Sequence, residues 1–128
     1  MKIVSTIARY LLALMFTVFG LNGFLHFLPE PVPVNPLALQ FFSSMVNSHF
    51  ALFFFAVQAF AGLLLLSGYF VPLALILLAA ELYNIYAYHL MLAPGIAPGL
   101  VAGVLWVLVF LQYRESFQGV FAAKPAHR

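Results

Sequence analysis

The residues of this chain with the means to do chemistry are few and regularly spaced. In the stretch ELYNIYAYHL, Glu81, Asn84 and Tyr88 fall at i, i+3 and i+7, and His89 lies beside them. On a helix that spacing gathers a carboxyl, a carboxamide and a phenol on one face. Asn22 and His26, four apart, share a face in the same way, as do Gln58 and Gly62. A carboxyl exchanges a proton or holds a polar ligand, and amides, phenols and imidazoles supply hydrogen bonds around it. Tyr83, Tyr86 and Tyr88 are flat enough to stack on a ring-shaped ligand, although tyrosines near the end of a span also form the interfacial belt. His26, His89 and Glu81 show no spacing typical of metal ligands, so no metal site is expected. Nor is there a phosphate loop, a dinucleotide fingerprint or a nucleophile–base motif.

What must position these groups is almost entirely hydrocarbon. Of the 128 residues, 66% are hydrophobic and 6% charged, against about 45–50% and about 25% in soluble domains. That composition predicts an all-α integral membrane protein, with residues 1–128 forming a single domain. A net charge of +2, with no basic patch, excludes a nucleic-acid binder. The absence of cysteine excludes dithiol redox chemistry and thiolate metal sites on this chain. Lys2 and Arg9 precede an apolar run too long for a signal peptide, with no small-residue cleavage site after it. A retained first span is therefore expected.

A spanning helix needs about 20 apolar residues, and four segments qualify, at about 5–28, 50–67, 71–92 and 98–113. Pro29, Gly68 and Pro94 close the first three, and the fourth is expected to run on in water toward Phe121. The connecting stretch PEPVPVNP cannot be helical throughout. Asn35-Pro36 then reads as an N-cap with proline at the first helical position. Leu37, Ala38, Phe41, Phe42, Met45 and Val46 follow at helical spacing, with Gln40, Ser43, Ser44, Asn47 and Ser48 opposite. This predicts a short amphipathic helix between spans one and two, at the membrane surface. The same residues also read as the opening turns of the second span. All lysines and arginines lie in the two terminal segments: Lys2, Arg9, Arg114, Lys124 and Arg128. The positive-inside rule then places both termini in the cytoplasm.

With that orientation the polar residues occupy one half of the membrane. Glu81 and Gln58 fall near mid-depth, Asn84 a turn above, and Asn22, His26, Tyr88 and His89 toward the outer surface. A charged carboxylate at the bilayer centre costs at least ~2.5 kcal/mol, which favours turning Glu81 into the bundle. An outward-opening polar cleft follows, with Glu81 at its floor, the amphipathic helix as its roof and Asn22, His26, Gln58, Asn84, Tyr88 and His89 around it. The bland alternative is that these groups only join helices, each interhelical hydrogen bond contributing about 0.6 kcal/mol. Gly95, Gly99 and Gly103, spaced by four, read as a close-contact face for a partner protein or a second copy.

Four stretches together carry a resemblance: ARYLLALMFTVFGLNGFLHFLP, AGLLLLSGYFVPLAL, NIYAYHLMLAP and QYRESFQGVF. In order and spacing they resemble the DoxX family of small bacterial four-span membrane proteins, over nearly the whole chain. The resemblance implies a four-helix bundle in the bacterial inner membrane, related to the DoxD-type thiosulfate:quinone oxidoreductase subunit and to membrane oxidoreductase assemblies. It implies pocket roles for Asn22, Asn84 and His89. The chain departs from the family pattern where Gln58 replaces an acidic residue of the second span and Glu81 supplies the acid from the third.

Three functions compete. The first is a ligand-binding or accessory subunit that holds a small amphiphile, a quinone or a lipid, or docks on a larger membrane complex. The second is a quinone-linked oxidoreductase subunit with Glu81 as its catalytic proton relay, though the isolated chain has no electron carrier of its own. The third is a transporter or channel. Four spans are too few for an inverted-repeat transporter without dimerisation, and the cytoplasmic half has no polar path.

Overall fold

The computed structural model describes residues 1–127; Arg128, one of the five cations of the orientation argument, lies outside them. Five helices form: α1 (Lys2–Leu25), α2 (Pro36–Asn47), α3 (Ala51–Ser67), α4 (Val71–Met91) and α5 (Ala97–Tyr113). A 3-10 turn, Arg114–Phe117, ends α5, so the fourth span does not continue as an α-helix to Phe121. No strand is present among the described residues.

Three helices are long and apolar enough to cross a membrane: α1, α4, and α5 with its 3-10 turn. The expected second span is shorter. At 17 residues, α3 covers about 25 Å, less than the ~30 Å hydrocarbon core. With α2 it qualifies as one broken span, the two helices meeting at 77°. This bend, with His49 at φ 64°, sets α2 apart as a helix of its own rather than the first turns of α3. The cap at its start is the one the sequence predicts. Asn35 Oδ1 accepts from the backbone N–H groups of Leu37 (2.9 Å) and Ala38 (3.4 Å), and Pro36 follows at the first helical position.

The four long helices pack in a closed ring, α1 on α3, α3 on α4, α4 on α5 and α5 on α1. Leu12, Phe16, Leu65, Leu75, Leu78 and Val109 fill its centre. Ile7, Phe53, Leu63, Ile76 and Val104 point outward and are exposed, as lipid-facing positions are. The α1–α3 contact is the closest because its crossing is built from small residues. A Cβ on Gly20 would lie 2.5 Å from the Ala59 backbone nitrogen, and one on Gly62 would lie 2.4 Å from Thr17 Oγ1.

Hydrogen bonds to backbone carbonyls tie the remaining neighbours. Ser5 Oγ donates to Leu108 O (2.9 Å), joining α1 to α5. Trp106 Nε1 donates to Leu75 O (2.8 Å), joining α5 to α4. The Arg9 guanidinium donates to Leu65 O in the last turn of α3, where a cation also suits the helix dipole. At one end of this ring α2 folds across α3 and α4, and the polar residues collect beneath it.

A polar-floored cleft between α2, α3 and α4

The cleft has a volume of about 770 Å³, inside the range of small-molecule sites. Its walls come from the N-terminal half of α3, the C-terminal half of α4, the inner face of α2, and the loop residues Glu30 and Pro31. Phe41, Phe42, Met45 and Val46 form the α2 face. These are members of the apolar stripe read from its sequence, and they cover the cleft as the expected roof. Phe41 meets the Tyr88 ring of α4 at 5.7 Å between centroids, which holds the roof against the wall.

The central residue of α4, Glu81, is only 5% exposed. It is joined across the helix interface to Gln58 of α3, whose Nε2 donates to Glu81 Oε2 at 3.2 Å. Both side chains line the cleft. One helical turn along, Asn84 also lines it, with its Nδ2 donating back to Ala80 O at 2.9 Å. Tyr88 and His89 complete the polar wall. The His89 Nδ1 lies 3.2 Å from Ala93 O; a carbonyl oxygen only accepts, so this nitrogen carries the proton and donates. The helical register i, i+3, i+7 thus delivers Glu81, Asn84 and Tyr88 to one cavity wall, with His89 alongside.

Other expected members stand elsewhere. No residue of α1 lines the cleft. Asn22 is buried at 2% exposure, but it is committed to the loop that follows its own helix. Its Oδ1 accepts from Leu28 N (2.7 Å), and its Nδ2 donates to Leu28 O (3.3 Å) and Glu30 Oε1 (3.1 Å). His26 does not share its face. The helix ends at Leu25, one turn before Pro29, and His26 takes the left-handed conformation (φ 53°) with its side chain exposed. Of the three tyrosines considered for stacking, only Tyr88 reaches the cleft. Tyr83 is 77% exposed on the outside, and Tyr86 turns to α5, its hydroxyl donating to Gly99 O at 2.7 Å.

The glycine register is also placed differently from its reading as a partner face. Gly95 lies in the loop before α5 with φ 113°. Gly99 and Gly103 face Tyr86 of the same chain: a Cβ on Gly103 would lie 2.0 Å from the Tyr86 hydroxyl oxygen. The close approach that these glycines permit is made by a tyrosine of α4.

Sequence reasoning missed Glu30, Phe54 and Phe55. Glu30 lines the cleft at its rim and was legible as the only acid in the proline-rich loop. Phe54 and Phe55 line the wall while Phe53 points outward; nothing in a run of three phenylalanines distinguishes them. Among the described residues no three His, Asp or Glu side chains come together as a metal site. The arrangement is a cleft with a hydrogen-bonded carboxyl at its floor, aromatic walls and a second carboxyl at its rim. No protein-family model, curated protein or solved structure matches the chain.

Proposed function

We propose that this chain is a DoxX-like membrane protein of the bacterial inner membrane that acts as a ligand-binding accessory subunit. Its cleft holds a small amphiphile. The observation that carries this reading is the Gln58–Glu81 pair at the floor of a large cleft walled by Phe41, Phe42, Phe54, Phe55 and Tyr88. A carboxyl that only joined two helices would be served as well by a collapsed contact. Here it is left beside about 770 Å³ of open space, which is the geometry of a ligand site with one polar anchor and apolar sides. With both termini cytoplasmic, the mouth under α2 opens toward the outer surface, within reach of molecules dissolved in the outer leaflet.

Native mass spectrometry of the protein released gently from its own membrane tests the reading. The expected spectrum contains a stoichiometric added mass of roughly a few hundred daltons, the size a cleft of this volume accepts. A co-purifying protein alongside that mass would identify the complex the subunit serves. A bare monomer or homodimer under conditions that retain lipid would refute the ligand-binding reading, leaving the polar cluster a means of joining helices.

A further inference from the structure

We infer that the ligand of the cleft is a donor-bearing cation, an alkyl ammonium amphiphile, rather than a neutral quinone or an anionic lipid. The inference rests on the ligand-binding reading above and narrows it to a chemical class.

The argument comes from which atoms the protein has already engaged. Gln58 Nε2 is turned to Glu81, Asn84 Nδ2 to Ala80 O and His89 Nδ1 to Ala93 O. Each of these nitrogens thereby gives one N–H to protein, and each amide keeps a second. The opposite atoms of the two amides are acceptors, Gln58 Oε1 and Asn84 Oδ1. To these the two carboxyls add more. Among the described residues Glu81, nineteen-twentieths buried, has only its Oε2 paired, and Glu30 has only its Oε1 paired.

A quinone presents carbonyl oxygens and needs donors; an anionic headgroup needs donors and positive charge. Among the described residues no lysine or arginine lines the cleft, and its remaining donors, the Tyr88 hydroxyl and the second N–H groups of Gln58 and Asn84, are all on neutral groups. An ammonium reverses the match. Its N–H groups suit the carboxyl and amide oxygens of the cleft, and its charge complements the anion that either carboxyl becomes on losing its proton. The aromatic rings around it favour a cation over their faces, while the apolar face of α2 and the side chains Ala87, Met91 and Leu92 accept its alkyl chain. Acids at floor and rim mark out a path along the cleft for the positive head.

The test compares three probes of equal chain length on the full chain in nanodiscs of zwitterionic lipid, with empty nanodiscs as the partition control. The probes are decylammonium, a decyl-substituted benzoquinone and decanoate. Saturable binding of decylammonium at least about tenfold tighter than either other probe is expected, lost about tenfold or more in Glu81→Gln, since a charged hydrogen bond is removed. Ala87→Trp, which fills the cleft from its wall, abolishes it. Should Glu81→Gln fail to fold, Glu30→Gln at the exposed rim carries the comparison, with a smaller loss expected. Tighter binding of the quinone or of decanoate, blocked by Ala87→Trp, would overturn the ammonium assignment and leave the ligand-binding reading intact. Decylammonium binding unchanged in all three variants would place it outside the cleft and overturn the assignment. No saturable binding of any probe would overturn both.

Discussion

Replacing Gln58 by leucine removes the one hydrogen bond that the described residues give the Glu81 carboxyl. Leucine is close to glutamine in volume, so the packing of α3 on α4 is little changed and the loss is that of the polar contact. In soluble proteins a hydrogen bond to a charged group contributes about 1.5–3 kcal/mol. Between membrane helices the average is about 0.6 and the maximum about 1.7 kcal/mol. Glu81 is 5% exposed but borders the cleft, so water relieves part of the loss. The cost of Gln58→Leu is therefore expected in the upper membrane range, about 1–1.7 kcal/mol. A double-mutant cycle with Glu81→Leu isolates the pair. Once the carboxyl is gone, Gln58→Leu costs almost nothing, and the double variant is more stable than the sum of the single changes by about 1 kcal/mol or more. Reversible unfolding in mixed micelles titrated with a denaturing detergent measures each corner. Additivity within about 0.3 kcal/mol would show that the two side chains do not interact, and the floor of the cleft would have to be redrawn.

Three further substitutions probe the frame around the cleft. Gly20→Val forces a side chain onto the Ala59 backbone, where even a Cβ would sit at 2.5 Å; a loss of about 2–3 kcal/mol is expected in the same unfolding assay, and a loss below about 0.5 kcal/mol would contradict the α1–α3 crossing. Gly103→Ala displaces the Tyr86 hydroxyl from Gly99 O, costing about 1 kcal/mol, and in a Tyr86→Phe background, where that bond and the clashing hydroxyl are already gone, the same change costs little. If Gly103 instead served only an outside partner, Tyr86→Phe would give no rescue. Asn35→Ala removes the cap of α2, worth about 1 kcal/mol. Hydrogen exchange should rise in residues 36–47 while α4 stays protected, and unchanged protection of α2 would show that its packing over the cleft, not its cap, holds it.

What the sequence disclosed about this site depended on how far each residue lies from a helix end. Glu81, Asn84 and Tyr88 stand well inside α4 or in its closing turns, where the 3.6-residue period is rigid, so a common face could be read from spacing alone. Asn22 and His26 have the same spacing, yet they straddle the end of α1. A left-handed residue at a helix C-terminus is usually glycine, and a histidine there gives no warning. That one backbone angle, φ 53° at His26, turns the chain so that Asn22 holds the loop instead of lining the cleft, and brings Glu30 to the rim. The glycines show a different gap. Spacing by four reports that something approaches closely, which is correct for Gly99 and Gly103, but not what approaches, because the occupant is a side chain on another helix. Periodicity therefore located the floor and one wall of the cleft and named the helix that roofs it. The rim and the roof depend on a turn and a 77° bend, local geometries that set direction rather than period. If the ligand enters under α2, its selectivity is written in those two irregular segments, where Glu30 and Phe41 stand, while its anchorage is written in the regular register of α4.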